Sequence, residues 1–175
     1  AVGDDATIMV DANQQWILSK ALVVIDKLRE MNPYWVEEPT DPDDILAHQT
    51  LARAFHPIRI ALGEHVSNKV LFKNFLQANA MEINQVDALR VGGISEFILI
   101  SLMSRKCGVP VIPHVGDMGQ IHQHMVLFNH ISMSHPKMFL ECIPHLRKYF
   151  KDPATIEDGV YLVPQTPGSS SDFNN

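Results

Sequence analysis

Short apolar runs alternate along this chain with longer stretches whose apolar positions recur at helical spacing. The runs at 7–10, 34–36, 58–62, 81–86, 109–112 and 138–140 read as buried strands. The stretches at 17–31, 43–54, 68–78, 95–106 and 119–129 read as helices. Local signals support these limits: Asp41 or Asp43 caps the second helix, Ser67 the third, and Gly108 stands just past the fourth, where a left-handed residue belongs. After Pro144 the pattern turns irregular, and residues 166–175 read as a disordered polar end.

Strands and helices in strict alternation make a parallel sheet with right-handed crossovers. Two architectures offer that: an open doubly wound sheet, or part of a (β/α)-barrel. The first usually carries a glycine-rich turn after its first strand, whereas this strand runs into Asp11-Ala12-Asn13, and Gly92-Gly93 comes late and alone. The expected fold is therefore α/β, a partial TIM-type (β/α) barrel of about six β/α units. Residues 1–150 are expected to form the barrel part, and 151–175 an irregular C-terminal extension.

Composition narrows the function. With 46% hydrophobic and 19% charged residues the chain can build an ordinary core, and a formal charge of −6 argues against nucleic acid as a partner. Cys107 and Cys142 have no metal-type spacing, so reduced thiols are the simpler reading. No apolar run reaches the roughly 20 residues of a membrane span, and the N-terminus has no signal-peptide layout, so no membrane partner and a cytoplasmic location are expected.

The chemistry lies at the strand ends. Residues at the C-terminal ends of barrel strands converge on one site, and here those ends are Asp11, Glu37-Glu38, Glu64, Asp87, His114 and Glu141. Any one of these alone reads as a solvated loop carboxylate or a cap. Several like charges in one cleft repel unless a cation neutralises them, and oxygen donors from neighbouring strands suit a hard divalent ion, magnesium or manganese in its place. Zinc would recruit His or Cys. His122-Gln123-His124 resembles the His-x-His of zinc hydrolase barrels, but it falls in a helix, where positions i and i+2 diverge. A surface or packing role is the better reading there. Trp16 and Trp35 read as core or loop packing. Strand alternation leaves open which of Glu37 and Glu38 faces the site.

Five segments taken together carry a resemblance: Val10-Asp11-Ala12-Asn13-Gln14, Trp35-Val36-Glu37-Glu38-Pro39-Thr40, Gly63-Glu64-His65, Asp87 through Gly93, and Pro113-His114. Their order and their intervals of 23 to 27 residues resemble the mandelate racemase branch of the enolase superfamily. Asp44-Ile45-Leu46-Ala47-His48 and His145-Leu146 before Tyr149-Phe150 look most like L-fuconate dehydratases. The resemblance implies a magnesium-dependent sugar-acid dehydratase working through an enediolate, with Asp11, Glu37 and Glu64 as metal ligands. Asp87 and His114 would be the acid/base dyad, and Glu141 would lie beside the substrate carboxylate. Glu38 would stand behind the ligands. Asn13 either orients the metal site or only shapes its turn; His65 either touches substrate or is a loop histidine; Arg90 either balances Asp87 or is solvated.

The same resemblance raises two departures. Residues 115–120 differ from fuconate dehydratases, which leaves the particular sugar acid open. Relatives also carry a Lys-x-Lys base motif, and none occurs here. The chain is therefore expected to be a fragment that needs the missing N-terminal portion, or to form a homo-oligomer. A racemase or epimerase of a 2-hydroxy acid on the same scaffold, and a non-catalytic truncated domain, are the competing readings.

Overall fold

The structure, a computed structural model, describes residue 3 and residues 5–115, 119–134 and 139–175. Four parallel strands form one sheet in the order β1 (Met9–Asp11), β2 (Trp35–Glu37), β3 (Arg59–Leu62) and β4 (Ile83–Asn84). Helices α1 (Leu18–Leu28), α2 (Ile45–Phe55) and α3 (Lys69–Gln77) fill the crossovers between them. Helices α4 (Ile94–Lys106) and α5 (Ile121–Met133) follow. Sequential strands pairing in parallel, each joined by a helix, is the barrel pattern.

Alternation along the strands sorts side chains onto two faces. Val36, Ile60 and Leu62 pack into the main core with Ala21 and Ile25 of α1, Leu51 and Phe55 of α2, and Phe72 and Phe75 of α3. Trp35, Ala61 and Ile83 form a second cluster with Ile112 on the concave face. Asp11 is the register partner of Glu37, and Glu37 of Ala61. The concave face that holds Trp35 at one end thus presents carboxylates at the other.

Several boundaries differ from those the pattern predicts. Asp44, not Asp41 or Asp43, caps α2, accepting from Ala47 N at 2.9 Å, while Asp41 accepts from Asp43 N in a local turn. Asn68, not Ser67, caps α3, accepting from the N–H groups of Val70 and Leu71. Gly108 does take the left-handed conformation after α4, at φ 73°. The expected fifth strand is reduced to one parallel bridge, Asn84 with Val111, held by Asn84 N donating to the Pro110 carbonyl and Ile112 N donating to the Asn84 carbonyl. For the expected sixth strand, residue 138 lies outside the described residues, and Phe139 and Leu140 are not in a strand.

The chain end is not a disordered tail. A hairpin of β5 (Ile156–Glu157) and β6 (Val160–Tyr161) precedes it. Phe173 then bridges to Phe150 with ring centroids 5.0 Å apart, and the Asn174 amide donates to the carbonyls of Lys148 and Phe150. Polarity suggested disorder, but one aromatic pair and backbone bonding anchor the segment. Cys107 and Cys142 are both free. Among the described residues, no helix is long and apolar enough to cross a membrane.

Candidate active site

Gly63 sets the position of the site's central carboxylate. Its φ is 152°, and a Cβ there would lie 2.5 Å from the Gln85 carbonyl carbon, so only glycine lets β3 approach the strand beside it this closely. Glu64 follows directly. Its Oε2 lies 2.8 Å from His114 Nε2, and its Oε1 lies 3.1 Å from Arg90 Nη1 and 3.0 Å from His65 Nδ1. Burial raises the Glu64 carboxyl pKa, but the hydrogen bond and charge of His114, with Arg90 and His65, outweigh it and hold it below the ordinary value.

His114 Nδ1 is 2.8 Å from Asp87 Oδ2, and its Nε2 is 3.5 Å from Glu141 Oε2. Burial works against a charged imidazole, yet bonds to Asp87 and Glu64 win and hold its pKa up at about 10. Asp87 is depressed despite burial, through its bonds to His114 and His122 and to the Leu89 N–H. Glu141 also accepts from Val115 N at 3.0 Å, which brings it to the same cleft.

Glu37 differs from its neighbours. Burial, with the charges of Asp11 and Glu141 adding to it, lifts its pKa to about 7 in spite of hydrogen bonds from Gln85 and Trp35. Trp35 Nε1 donates to Glu37 Oε2 at 3.1 Å, so this indole does more than pack. Asp11 Oδ1 accepts from Asn13 N, and Asn13 itself sits at φ 45°, the turn-shaping role. Glu38 points away from Glu37. It is buried, accepts from Gln14 Nε2 at 2.7 Å and lies 2.9 Å from His65 Nδ1.

These contacts do not draw Asp11, Glu37 and Glu64 together. Among the described residues, the group whose ligand atoms all lie within 4.8 Å of one another is Glu38, Glu64 and His65. The Arg90 guanidinium stands 3.1 Å from both Glu64 Oε1 and His65 Nε2, so a cation held by Glu64 in any grouping has to displace it, and this group would lose two of its three donors to that contact. Asp11 and Glu37 form the better donor pair for a hard cation: they are register partners on adjacent strands, oxygen-only, and burial, with the Asp11 charge adding to it, raises the Glu37 carboxyl pKa. Carboxylates repel, and Glu64 has turned to the cationic partners within reach.

The whole chain, residues 1–175, matches the family described as "Enolase C-terminal domain-like". The chain belongs to it. Mitochondrial enolase superfamily member 1 of Homo sapiens is 40% identical over 98% of this chain, and the match spans 40% of that protein. Its crystal structure superposes with a TM-score of 0.93 over 99% of this chain and 41% of that one. L-galactonate dehydratase of Hypocrea jecorina is 39% identical over 93% of the chain and 37% of its own length. An L-talarate dehydratase from Polaromonas sp. JS666, complexed with Mg and L-glucarate, is 32% identical with a TM-score of 0.78, over 93% of this chain and 43% of that one. The chain thus spans about two fifths of the length of these enolase-superfamily relatives.

Within this enolase-type barrel, sequence reasoning missed His122. It is fully buried on α5 with Nε2 2.8 Å from Asp87 Oδ1, and not on the surface. His122 shares the buried face of α5 with Met125, Asn129 and Met133, but nothing in the sequence ties that face to Asp87. His124, its neighbour in the His-x-His motif, points elsewhere: its Nε2 is buried with no hydrogen-bond partner among the described residues. Of the loop 115–120, residues 116–118 lie outside the described residues.

Proposed function

We propose that this chain is the metal-binding part of a magnesium-dependent sugar-acid dehydratase, with an aldonic acid of the L-fuconate or L-galactonate type as substrate. The observation that carries the reading is His114, held by Asp87 through Nδ1 with Nε2 facing Glu64 and Glu141. The dehydratase relatives support the reaction class. Asp11, Glu37 and Glu64 are the residues that would hold the ion, and manganese would suit the same oxygens. A bound magnesium ion supplies electrophilic stabilisation of the negative charge that builds on a carboxylate when its α-carbon loses a proton.

The chain's own residues then have defined tasks. Asp87 accepts the Nδ1 hydrogen of His114 and so fixes which tautomer faces the cleft. His114 Nε2 carries the proton that hydroxide needs in order to leave: the Cβ–O bond breaks, its electron pair goes to oxygen, and the hydroxyl departs as water. The enol left behind tautomerises to a 2-keto-3-deoxy acid. Glu141 stands beside the substrate carboxylate, and Arg90 and His65 steady Glu64.

No lysine among the described residues is ion-paired to this constellation. We assign the base for the α-proton to the Lys-x-Lys motif that the family resemblance implies; this sequence contains none, so the motif would come from a polypeptide portion that completes the barrel, in the same protein or in an associated copy. With that portion present, magnesium and aldonic acids are expected to yield keto acid, and His114→Asn to abolish it while leaving metal affinity nearly intact. An epimerised acid without keto product would make this a racemase. Turnover retained in His114→Asn would place the general acid elsewhere.

A further inference from the structure

The dyad is a row of three. Asp87 lies between two imidazoles, one against each carboxylate oxygen: His114 Nδ1 at 2.8 Å from Oδ2, and His122 Nε2 at 2.8 Å from Oδ1. Oδ1 also accepts from Leu89 N at 2.7 Å. His122 is fully buried, and the reaction outlined above gives it no task.

Hydrogen placement follows from the partners. An ionised carboxylate only accepts, so a bare lone pair on His122 Nε2 at 2.8 Å would be repelled; Nε2 must carry the hydrogen. The Ala88 N–H, 3.1 Å away, is directed at the same nitrogen, a bond that only the opposite tautomer would complete, so at Nε2 the ionised Asp87 and the Ala88 amide compete. His122 Nδ1 is buried without a hydrogen-bond partner among the described residues. As an unused acceptor it is tolerated better than an orphaned N–H would be, which selects the same tautomer.

We propose that His122 is a positioning residue: by donating from Nε2 to Oδ1 it holds the Asp87 carboxylate in the rotation that offers Oδ2 to His114. The torsion about a terminal carboxylate is soft, and Leu89 alone satisfies only one lone pair of Oδ1. A second donor from a rigid helix narrows the rotation, as supporting hydrogen bonds do at preorganised sites. The purpose assigned to this contact rests on His114 being the proton donor proposed above, but the contact itself is testable without metal or substrate.

The test is NMR of the ring N–H groups in the 175-residue chain labelled with 15N-histidine. In the parent, His122 is expected as the Nε2–H tautomer, and Asp87→Asn should move that signal. In His122→Phe, the His114 Nδ1–H should exchange with solvent about tenfold faster, the loss of roughly one ordinary hydrogen bond. His122→Gln, which keeps a donor, should restore much of the protection. A His122 hydrogen on Nδ1, or a ring signal unmoved by Asp87→Asn, overturns the proposal whether or not the Phe variant folds. So does equal acceleration in Phe and Gln, which would mark His122 as a core filler. Failure here leaves the dehydratase reading standing, and failure of the keto-acid assay leaves this contact standing.

Discussion

Nε2 of His114 lies 2.8 Å from Oε2 of Glu64, so the proposed general acid and a proposed metal ligand share one hydrogen-bonded contact. On the proposed reading, proton and metal would meet on one carboxylate.

That contact fixes a pH dependence of stability. His114 is raised from 6.5 to about 10, so its contribution is full below 6.5 and is lost as pH rises toward 10. Glu37 is raised from 4.5 to about 7, so its contribution is lost as pH rises through that interval. Asp87 and Glu64 are depressed, and theirs is lost as pH falls below the ordinary carboxylate range. Without added metal, the melting temperature should peak at about pH 4.5, decline as Glu37 ionises, and decline further above pH 6.5 as His114 loses its proton. His114→Asn should flatten that decline. A melting temperature that climbs from pH 6 to 9 would contradict these assignments.

Glu37 should cost the metal-free chain stability when ionised. At pH 8 Glu37→Gln, which can still accept from Trp35, is expected to stabilise it by on the order of 2 kcal/mol while weakening magnesium binding. Chemical denaturation with and without magnesium checks both halves. A destabilised variant at pH 8 would show that Glu37 is not the strained carboxylate of the site.

Gly63→Ala should be among the most damaging single substitutions. Its Cβ would lie within 2.5–2.8 Å of the Gln85 and Val86 backbone at a φ that L-residues rarely adopt, at a cost of about 3 kcal/mol or more. Loss of soluble protein, or a large fall in denaturation midpoint, is the expected result. Near-parent stability would mean the strand end can shift, and with it Glu64.

Strand alternation and strand-end chemistry made the barrel face and its carboxylates legible. Asp11, Glu37, Glu64, Asp87 and His114 each stand at or just past a strand position that the apolar runs predict. Period-two reasoning could not separate Glu37 from Glu38; the ladder does, because Glu37 pairs in register with Asp11 and Ala61 while Glu38 turns toward Gln14 and His65. His122 was not legible, since its burial depends on how α5 docks over Asp87, a contact 35 residues apart. The chain end was misread because polar composition outweighs one phenylalanine, and Phe173 found Phe150.

Asp11, Glu37 and Glu64, and not the Glu38–Glu64–His65 group, are proposed to hold the divalent ion. Magnesium titration followed by isothermal calorimetry and backbone NMR tests it most directly. Shifts centred on Asp11, Glu37 and Glu64 are expected, with affinity lowered about tenfold or more in Asp11→Asn and little changed in His65→Ala. No binding at millimolar magnesium, or binding lost in His65→Ala but kept in Asp11→Asn, would contradict it.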